Sequence, residues 1–529
     1  MVRLWCHHGD RKSVHKRILQ AANRPFPESL NTSFERIMRS ATSAKHLAAL
    51  LLLCVAVAAF QTPSSSAAER PNILFAIADD WGWPHAGAYG DPVVKTPAFD
   101  RLAREGLLFH HAYVSSPSCT PSRGAILTGQ WHWRLGPAAN LWSVFPDRLP
   151  TYPELLAEAG YAVGCTGKAW GPGRTATRNR AIAGTRYKNF QTFLQKRSPN
   201  QPFCFWLGTG DPHRPYRPGS GKASGMDLEK IKLPACFPDH PEVRGDVADY
   251  YFEVQRFDQL VGSAMKLLEE LGELDNTLVL MTGDHGMPFP RGKSNLYDTG
   301  TRVPLAVRWP QGIPTARVVE DFVSLTDLAP TYLELAGVKV PDAMTGLSLA
   351  RLLQQKPQTA ATPLRPSILF GKERHVVAQE APDKGGYPCR AIRTRDFLLI
   401  RNFQPDRWPA GTPFYQQATI RGAWLADCDN GPTKTIMVTQ RKLDAQHQRL
   451  YDLSFAKRPA IELYDLQKDP HQLVNVAGTA RYTEVQTRLT GQLMEQLERS
   501  GDPRAKGGGQ DFDQYPYLGG APKIPAALK

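Results

Sequence analysis

Asn72-Ile73-Leu74-Phe75-Ala76-Ile77-Ala78 runs straight into Asp79-Asp80. An apolar run without polar alternation reads as a β-strand covered on both faces, as in a parallel sheet. Adjacent carboxylates at its end are destabilising unless a cation compensates them. Two more runs share this form. Phe203-Cys204-Phe205-Trp206-Leu207 empties into Gly210-Asp211-Pro212-His213-Arg214, and Thr277-Leu278-Val279-Leu280-Met281 into Thr282-Gly283-Asp284-His285-Gly286. A shorter strand from Tyr161 delivers Thr166-Gly167-Lys168.

Helical patterns separate the strands. Thr96-Pro97 opens a helix that turns Phe99, Leu102 and Ala103 inward and closes at Gly106, and Thr151 to Gly160 repeats that grammar. Phe257, Leu260, Val261, Ala264, Leu267, Leu268 and Leu271 trace one face of a helix stopped by Gly272. Strands alternating with helices predict an α/β fold whose ligand site lies at the strands' C-terminal ends. There Asp79, Asp80, Lys168, His213 and Asp284 would meet.

Strand-like Leu107-Leu108-Phe109 leads to a further loop, Cys119-Thr120-Pro121-Ser122-Arg123. Pro121 suits the first turn of a helix, which sets Cys119 just outside a helix N-terminus. Such an end attracts oxyanions and lowers a thiol's pKa, and Arg123 adds a fork of donors for a tetrahedral anion. Alone, these five residues read as an inert buried cysteine. The other strand ends argue for a reactive group at an anion site.

The chain has 529 residues and a formal net charge of +14. Residues 1–46 hold nine Lys and Arg against three acids, leaving about +8 on the rest, an excess suited to anionic substrates rather than nucleic acid. The apolar run Leu47 to Phe60 is short for a membrane span and typical of a signal-peptide core. Residues 1–68 therefore read as a leader, with Met38 the more conventional start, on a protein exported to a periplasmic, extracellular or lysosome-like compartment. Beyond it Cys119, Cys165, Cys204, Cys236, Cys389 and Cys428 lack metal-type spacing, and no disulfide framework follows. Residues 69–365 make the catalytic domain. Ile368-Leu369-Phe370, Phe397-Leu398-Leu399-Ile400, Glu462-Leu463-Tyr464-Asp465-Leu466 and a helix near Tyr482 to Leu497 predict a smaller α+β domain over 366–500. Gly507-Gly508-Gly509 marks 501–529 as a loosely ordered tail. Nothing in the composition speaks to oligomeric state.

Asp79, Asp80 and Asp284 are hard oxygen donors, suited to calcium or magnesium. A thiolate suits such an ion poorly, which suggests that Cys119 is converted to an oxygen-bearing group. His285 is the awkward member, because imidazole favours softer metals, and alone it also reads as a structural histidine.

Cys119-Thr120-Pro121-Ser122-Arg123 resembles the signature of the formylglycine-dependent (type I) sulfatases, whose motif cysteine is oxidised to an aldehyde. Asp79-Asp80, Gly167-Lys168, Asp284-His285-Gly286 with Lys293, and Glu462-Leu463-Tyr464-Asp465-Leu466 with Asp469-Pro470 are similar to that family's other motifs, in order. Asp211-Pro212-His213-Arg214, Pro288-Phe289-Pro290, Ser294-Asn295-Leu296-Tyr297 and Tyr387-Pro388 resemble its heparan N-sulfatase (sulfamidase) branch. The resemblance implies a large mixed, mostly parallel sheet sandwiched by helices, alkaline-phosphatase-like, with an antiparallel sheet in the smaller domain. It implies one calcium ion held by Asp79, Asp80, Asp284, His285 and the modified Cys119, whose formylglycine gem-diol attacks sulfur. The implied reaction is hydrolysis of sulfate esters or sulfamates on a sulfated glycan, N-sulfated glucosamine first. By the same resemblance Arg123 steadies the nucleophile, Lys168 and Lys293 hold sulfate oxygens, His213 protonates the leaving group, and His375 touches the sugar, a surface histidine being the other reading of that position. The implied partner is a formylglycine-generating or anaerobic sulfatase-maturating enzyme. Two departures stand out: Lys168-Ala169-Trp170 replaces the family's Lys-x-His, and His285 replaces the more usual asparagine. The alternatives are a phosphonate or phosphodiester hydrolase, whose relatives share the cysteine motif, and a catalytically silent glycan-binding homologue with Trp170 as its lesion.

Overall fold

The Asn72–Ala78 run forms β1 near the middle of an eight-stranded sheet. The structure, a computed structural model, describes residues 70–356 and 363–529, so the leader and its signal peptide fall outside the described residues. In chain order the strands are β1, β2 (Leu107–Tyr113), β3 (Ser143–Phe145), β4 (Ala162–Thr166), β5 (Gly173–Thr175), β6 (Thr185–Arg186), β7 (Phe203–Gly208), β8 (Thr277–Gly283), β9 (Leu305–Arg308) and β10 (Arg317–Ser324). The large sheet runs β10-β2-β9-β8-β1-β7-β4-β6, and β3 pairs with β5 separately. Only β9 is antiparallel to its neighbours, β2 and β8.

The absence of polar alternation in β1 has a simple cause. Leu74, Ala76 and Ala78 pack with Phe205 and Met281 beneath the Pro241–Glu270 helix, while Ile73, Phe75 and Ile77 pack with Trp206 and Leu280 beneath the Leu328–Leu335 helix. Both faces are core, so every side chain of the strand is apolar except the terminal Asn72.

The Pro241–Glu270 helix begins well before the stripe that announced it. Asp246, Asp249 and Glu253 mask its first half in sequence, yet all three are buried. Asp246 receives both terminal nitrogens of Arg214, at 2.7 and 2.8 Å, and Asp249 accepts the N–H groups of Gly219 and Gly221. Leu260 and Leu271, expected inward, lie on the exposed side.

A second sheet follows, four antiparallel strands in sequence order: β11 (Ile368–Lys372), β12 (Cys389–Arg393), β13 (Phe397–Asn402) and β14 (Ile461–Asp465). The Thr483–Arg499 helix lays Leu489, Leu493 and Leu497 against Ile392, Leu399 and Leu463 of that sheet.

Residues 501–529 are packed, contrary to the loosely ordered tail expected of them. Arg390, fully buried, donates to Glu373 and Asp502 at 2.6 Å each, and Arg504 closes the cluster on Glu373. Farther on, Leu518 N–H bonds to the Trp142 carbonyl and Trp424 N–H to that of Pro522. Ion pairs and main-chain bonds hold this segment, and glycine-rich composition does not report them. Glu373→Ala, which leaves two buried guanidiniums short of a partner, is expected to destabilise the protein by about 3–5 kcal/mol. Thermal or denaturant unfolding checks this. No described helix is long and apolar enough to cross a membrane. All six described cysteines are free and buried.

Candidate active site

The C-terminal ends of β1, β4, β7 and β8 and the Cys119–Thr128 helix meet at one cavity of about 550 Å3. Main-chain bonds join the loops: Asp79 N–H donates to the Asp211 carbonyl, Asp284 N–H to that of Ala78, and Ser294 N–H to that of Pro117. Asp80 turns out of β1 at φ 73°, a left-handed conformation tolerated by few residues other than glycine, asparagine and aspartate. That turn lets its N–H donate to Asp284 Oδ1 at 2.9 Å. Gly167, at φ +59°, approaches the Gly208 carbonyl so closely that a Cβ would sit 2.1 Å from it, which brings Lys168 over the floor.

Cys119 is the first residue of its helix, with Ser118 as N-cap, and is 2% exposed. The expected fall in its thiol pKa is reversed. Burial pushes the thiol well above its ordinary range, and the attraction of Lys168 and Lys293 does not make up the difference. A thiol held protonated is a poor nucleophile, which counts against cysteine chemistry as such. Ser118 does not cap with its side chain; its hydroxyl instead lies 2.8 Å from His375 Nδ1. His375 is therefore no surface histidine: it is 3% exposed, lines the cavity, and burial lowers its pKa to about 3.

The carboxylates sit beneath. Asp79, Asp80 and Asp284 are all buried. Burial alone would raise the Asp79 carboxyl, but Lys168 and then Arg123 outweigh it and hold the group well below the usual carboxylate range. Lys168 Nζ lies 2.7 Å from both Asp79 oxygens, and Lys293 Nζ bridges Asp80 at 2.9 Å and Asp429 at 3.1 Å. Arg123 has no free fork for an anion. Its Nε donates to Asp284 Oδ2 at 2.7 Å, Nη1 to the carbonyls of Lys168 and Ala169, and Nη2 to that of Ala78. It fixes the carboxylates and loops instead of facing the cavity.

His285 tests whether a cation fits. Its Nδ1 lies 3.0 Å from the Gly286 carbonyl, which only accepts, so Nδ1 carries a proton. Nε2 then faces Asp80 Oδ1 at 3.0 Å, Asp284 Oδ1 at 3.6 Å and Cys119 Sγ at 3.3 Å. Acceptors crowded this way need a second ring proton or a cation among them. Asp80, Cys119 and His285, and likewise Asp79, Cys119 and Asp284, hold their ligand atoms within 4.8 Å of one another. Donors of this kind, mostly carboxylate, fit a hard divalent ion.

His213 stands at the rim, its side chain 35% exposed, with Nε2 3.9 Å from Asp80 Oδ2. Trp170 lines the cavity, donates from Nε1 to the Thr120 carbonyl at 3.1 Å and packs edge-on to Phe145, so it braces the Cys119 loop where a histidine was expected. Asp429 and Trp142, neither read from the sequence, complete the wall. Asp429 lies in an irregular stretch, Cys428-Asp429-Asn430-Gly431, with no preceding strand to flag it.

The sulfatase family model matches residues 71–174 and 176–338, and human N-sulphoglucosamine sulphohydrolase is 30% identical over 488 residues, spanning 82% of this chain and 91% of that protein. The chain belongs to the sulfatase family. A second model, of the N-sulphoglucosamine sulphohydrolase C-terminal region, matches residues 283–409 of this sulfatase. An ulvan-active sulfatase of Formosa agariphila is 26% identical, spanning 83% of this chain and 82% of its own. Among solved structures, a complex with the substrate D-glucosamine-2-N,6-O-disulfate superposes with a TM-score of 0.57 at 22% identity, covering 82% of the sulfatase and 98% of that chain. A phosphonate monoester hydrolase from Silicibacter pomeroyi superposes at 0.60 with 18% identity, covering 82% and 96%. These two likenesses show the shared fold. The sulfatase is accordingly a hydrolase of sulfuric esters or sulfamates.

Proposed function

We propose that this sulfatase is an exported enzyme that removes sulfate from a sulfated glycan, with N-sulfated glucosamine as its first substrate. The observation that carries the reading is the meeting of Asp79, Asp80, Cys119, Asp284 and His285 under one cavity whose walls bring Lys168, Lys293 and His213. The 30% identity to human N-sulphoglucosamine sulphohydrolase supports the sugar, and favours sulfate over the phosphonate alternative.

In this reading Asp79, Asp80, Asp284, His285 and Cys119, the last oxidised to formylglycine by a maturating enzyme, would hold a calcium ion. When bound, the ion supplies charge that activates the hydrated aldehyde as an oxygen nucleophile and offsets the sulfuryl oxygens. Charge bookkeeping supports it: Asp79, Asp80, Asp284 and Asp429 carry one negative charge more than Arg123, Lys168 and Lys293 neutralise. An anionic sulfate would meet net repulsion there, and a divalent ion reverses the sign. Lys168 and Lys293, released in part from their carboxylates, reach the sulfate oxygens as charge builds on them. Arg123 keeps Asp284 and Asp79 in place, and His213 moves a proton to the leaving atom from the rim. Trp170 walls the pocket without exchanging protons.

Release of sulfate from N-sulfated glucosamine, with a phenyl phosphonate monoester turned over far more slowly, is the expected result of assaying both. Preference for the phosphonate would overturn the reading. Calcium is also expected to stabilise the fold: at a hundredfold excess over its Kd it contributes about 2.7 kcal/mol. Chelation should therefore lower the melting temperature and abolish sulfate release, calcium should restore both, and a melting temperature indifferent to chelator would argue against the site.

A further inference from the structure

Asp429 is a carboxylate on the wall of a pocket built for anions, and the mechanism above gives it no task. Its Oδ2 lies 3.1 Å from Lys293 Nζ, while Oδ1 has no hydrogen-bond partner among the described residues. The side chain remains 21% exposed on the cavity side. One of its oxygens, His213 and Asp80 hold atoms within 4.8 Å of one another, so Asp429 stands beside the group that protonates the leaving atom. A carboxylate here repels the sulfate of any substrate. Lys293 compensates Oδ2, which leaves Oδ1 open to a positive or donor group on the leaving-group side of the scissile bond.

The two reaction types differ at that point. When a sulfate ester is hydrolysed the leaving oxygen departs as a neutral alcohol. When a sulfamate is hydrolysed the N–S bond breaks and its electron pair stays on nitrogen. The sulfuryl group takes the oxygen of the hydrolytic water and leaves as sulfate. Nitrogen takes up two protons, one through His213, both replaced from that water, and departs as an ammonium. Only the sulfamate develops positive charge on the leaving atom.

We propose that Asp429 is a specificity-determining residue that receives this ammonium, so the pocket favours N-sulfated over O-sulfated amino sugars. The inference deepens the sulfatase reading and rests on it. Electrostatic stabilisation of charge developing at a fixed partner is worth about 10²-fold in rate. Asp429→Asn, which keeps the shape and an acceptor for Lys293, is expected to lower kcat/KM about 10²-fold on N-sulfated glucosamine and by only about threefold on N-acetylglucosamine 6-sulfate. Asp429→Glu should recover part of the loss.

Product inhibition gives a readout that needs no chemistry at the amine. Glucosamine should bind wild type more tightly than N-acetylglucosamine, and the difference should vanish in Asp429→Asn. Equal losses on both substrates would reduce Asp429 to a counter-ion that positions Lys293 and would overturn the proposal. If wild type hydrolyses only O-sulfated sugars, the inference fails and the sulfatase reading stands. If it hydrolyses neither, that reading fails, and the two inhibitor affinities still decide Asp429. Should Asp429→Asn not fold, wild-type affinities without a preference for glucosamine would be enough to reject the role.

Discussion

Cys119→Ala is expected to lower sulfate release by about 10⁴-fold or more while leaving the melting temperature nearly unchanged. The asymmetry follows from the surroundings. The side chain is small and buried, its Sγ lies 3.3 Å from His285 Nε2 and 3.9 Å from Asp80 Oδ1, and the loops around it are held by other bonds. Removing it leaves Asp79, Asp80 and Asp284 with their cationic partners Lys168, Lys293 and Arg123. What disappears is the atom on which the proposed nucleophile is built. No neighbour can substitute, since Ser118 is committed to His375 and Thr120 to the Pro172 carbonyl. Steady-state sulfate release with a parallel thermal melt measures both quantities. Residual activity within tenfold of wild type would remove Cys119 from the chemistry.

His213→Ala should lower turnover of a sugar substrate by about 10²–10⁴-fold, the range for loss of a general acid. Its ring is fixed by Nδ1, which donates to the Arg214 carbonyl, leaving Nε2 toward the cavity. With Trp170 unable to exchange a proton, the described pocket offers His375 as its other imidazole. That ring is neutral at working pH, because burial lowers its pKa to about 3. A nitrophenyl sulfate, whose leaving phenolate needs no proton, should lose far less than the sugar. Equal losses on the two would point to sulfate binding, not proton transfer.

How much of this was legible in the residues depended on which force shaped each segment. β1, β7 and β8 are apolar because both faces are core, and such strands announce themselves. β12 does not, since Arg390 and Arg393 interrupt its pattern, and their burial is made tolerable by Glu373, Asp502 and Asp298 from distant segments. The first half of the Pro241–Glu270 helix was hidden in the same way by Asp246 and Asp249. At the site, the strand exits pointed to Asp79, Asp80, Lys168, His213 and Asp284 as candidates, and the fold brings them together at one cavity. Asp429 follows no strand, and only the fold puts it beside Lys293. The direction of the Cys119 shift was also beyond a local reading. A helix N-terminus favours thiolate, but the degree of burial, which the surrounding loops determine, outweighs it.

Peptide mass tests the central claim most directly. Trypsin should release residues 105–123, which contain Cys119, from fully active protein produced alongside a formylglycine-generating enzyme. The account predicts a peptide lighter than the thiol form by the difference between a thiol and an aldehyde, and reactive toward hydrazines. An intact thiol at Cys119 throughout fully active enzyme would contradict it.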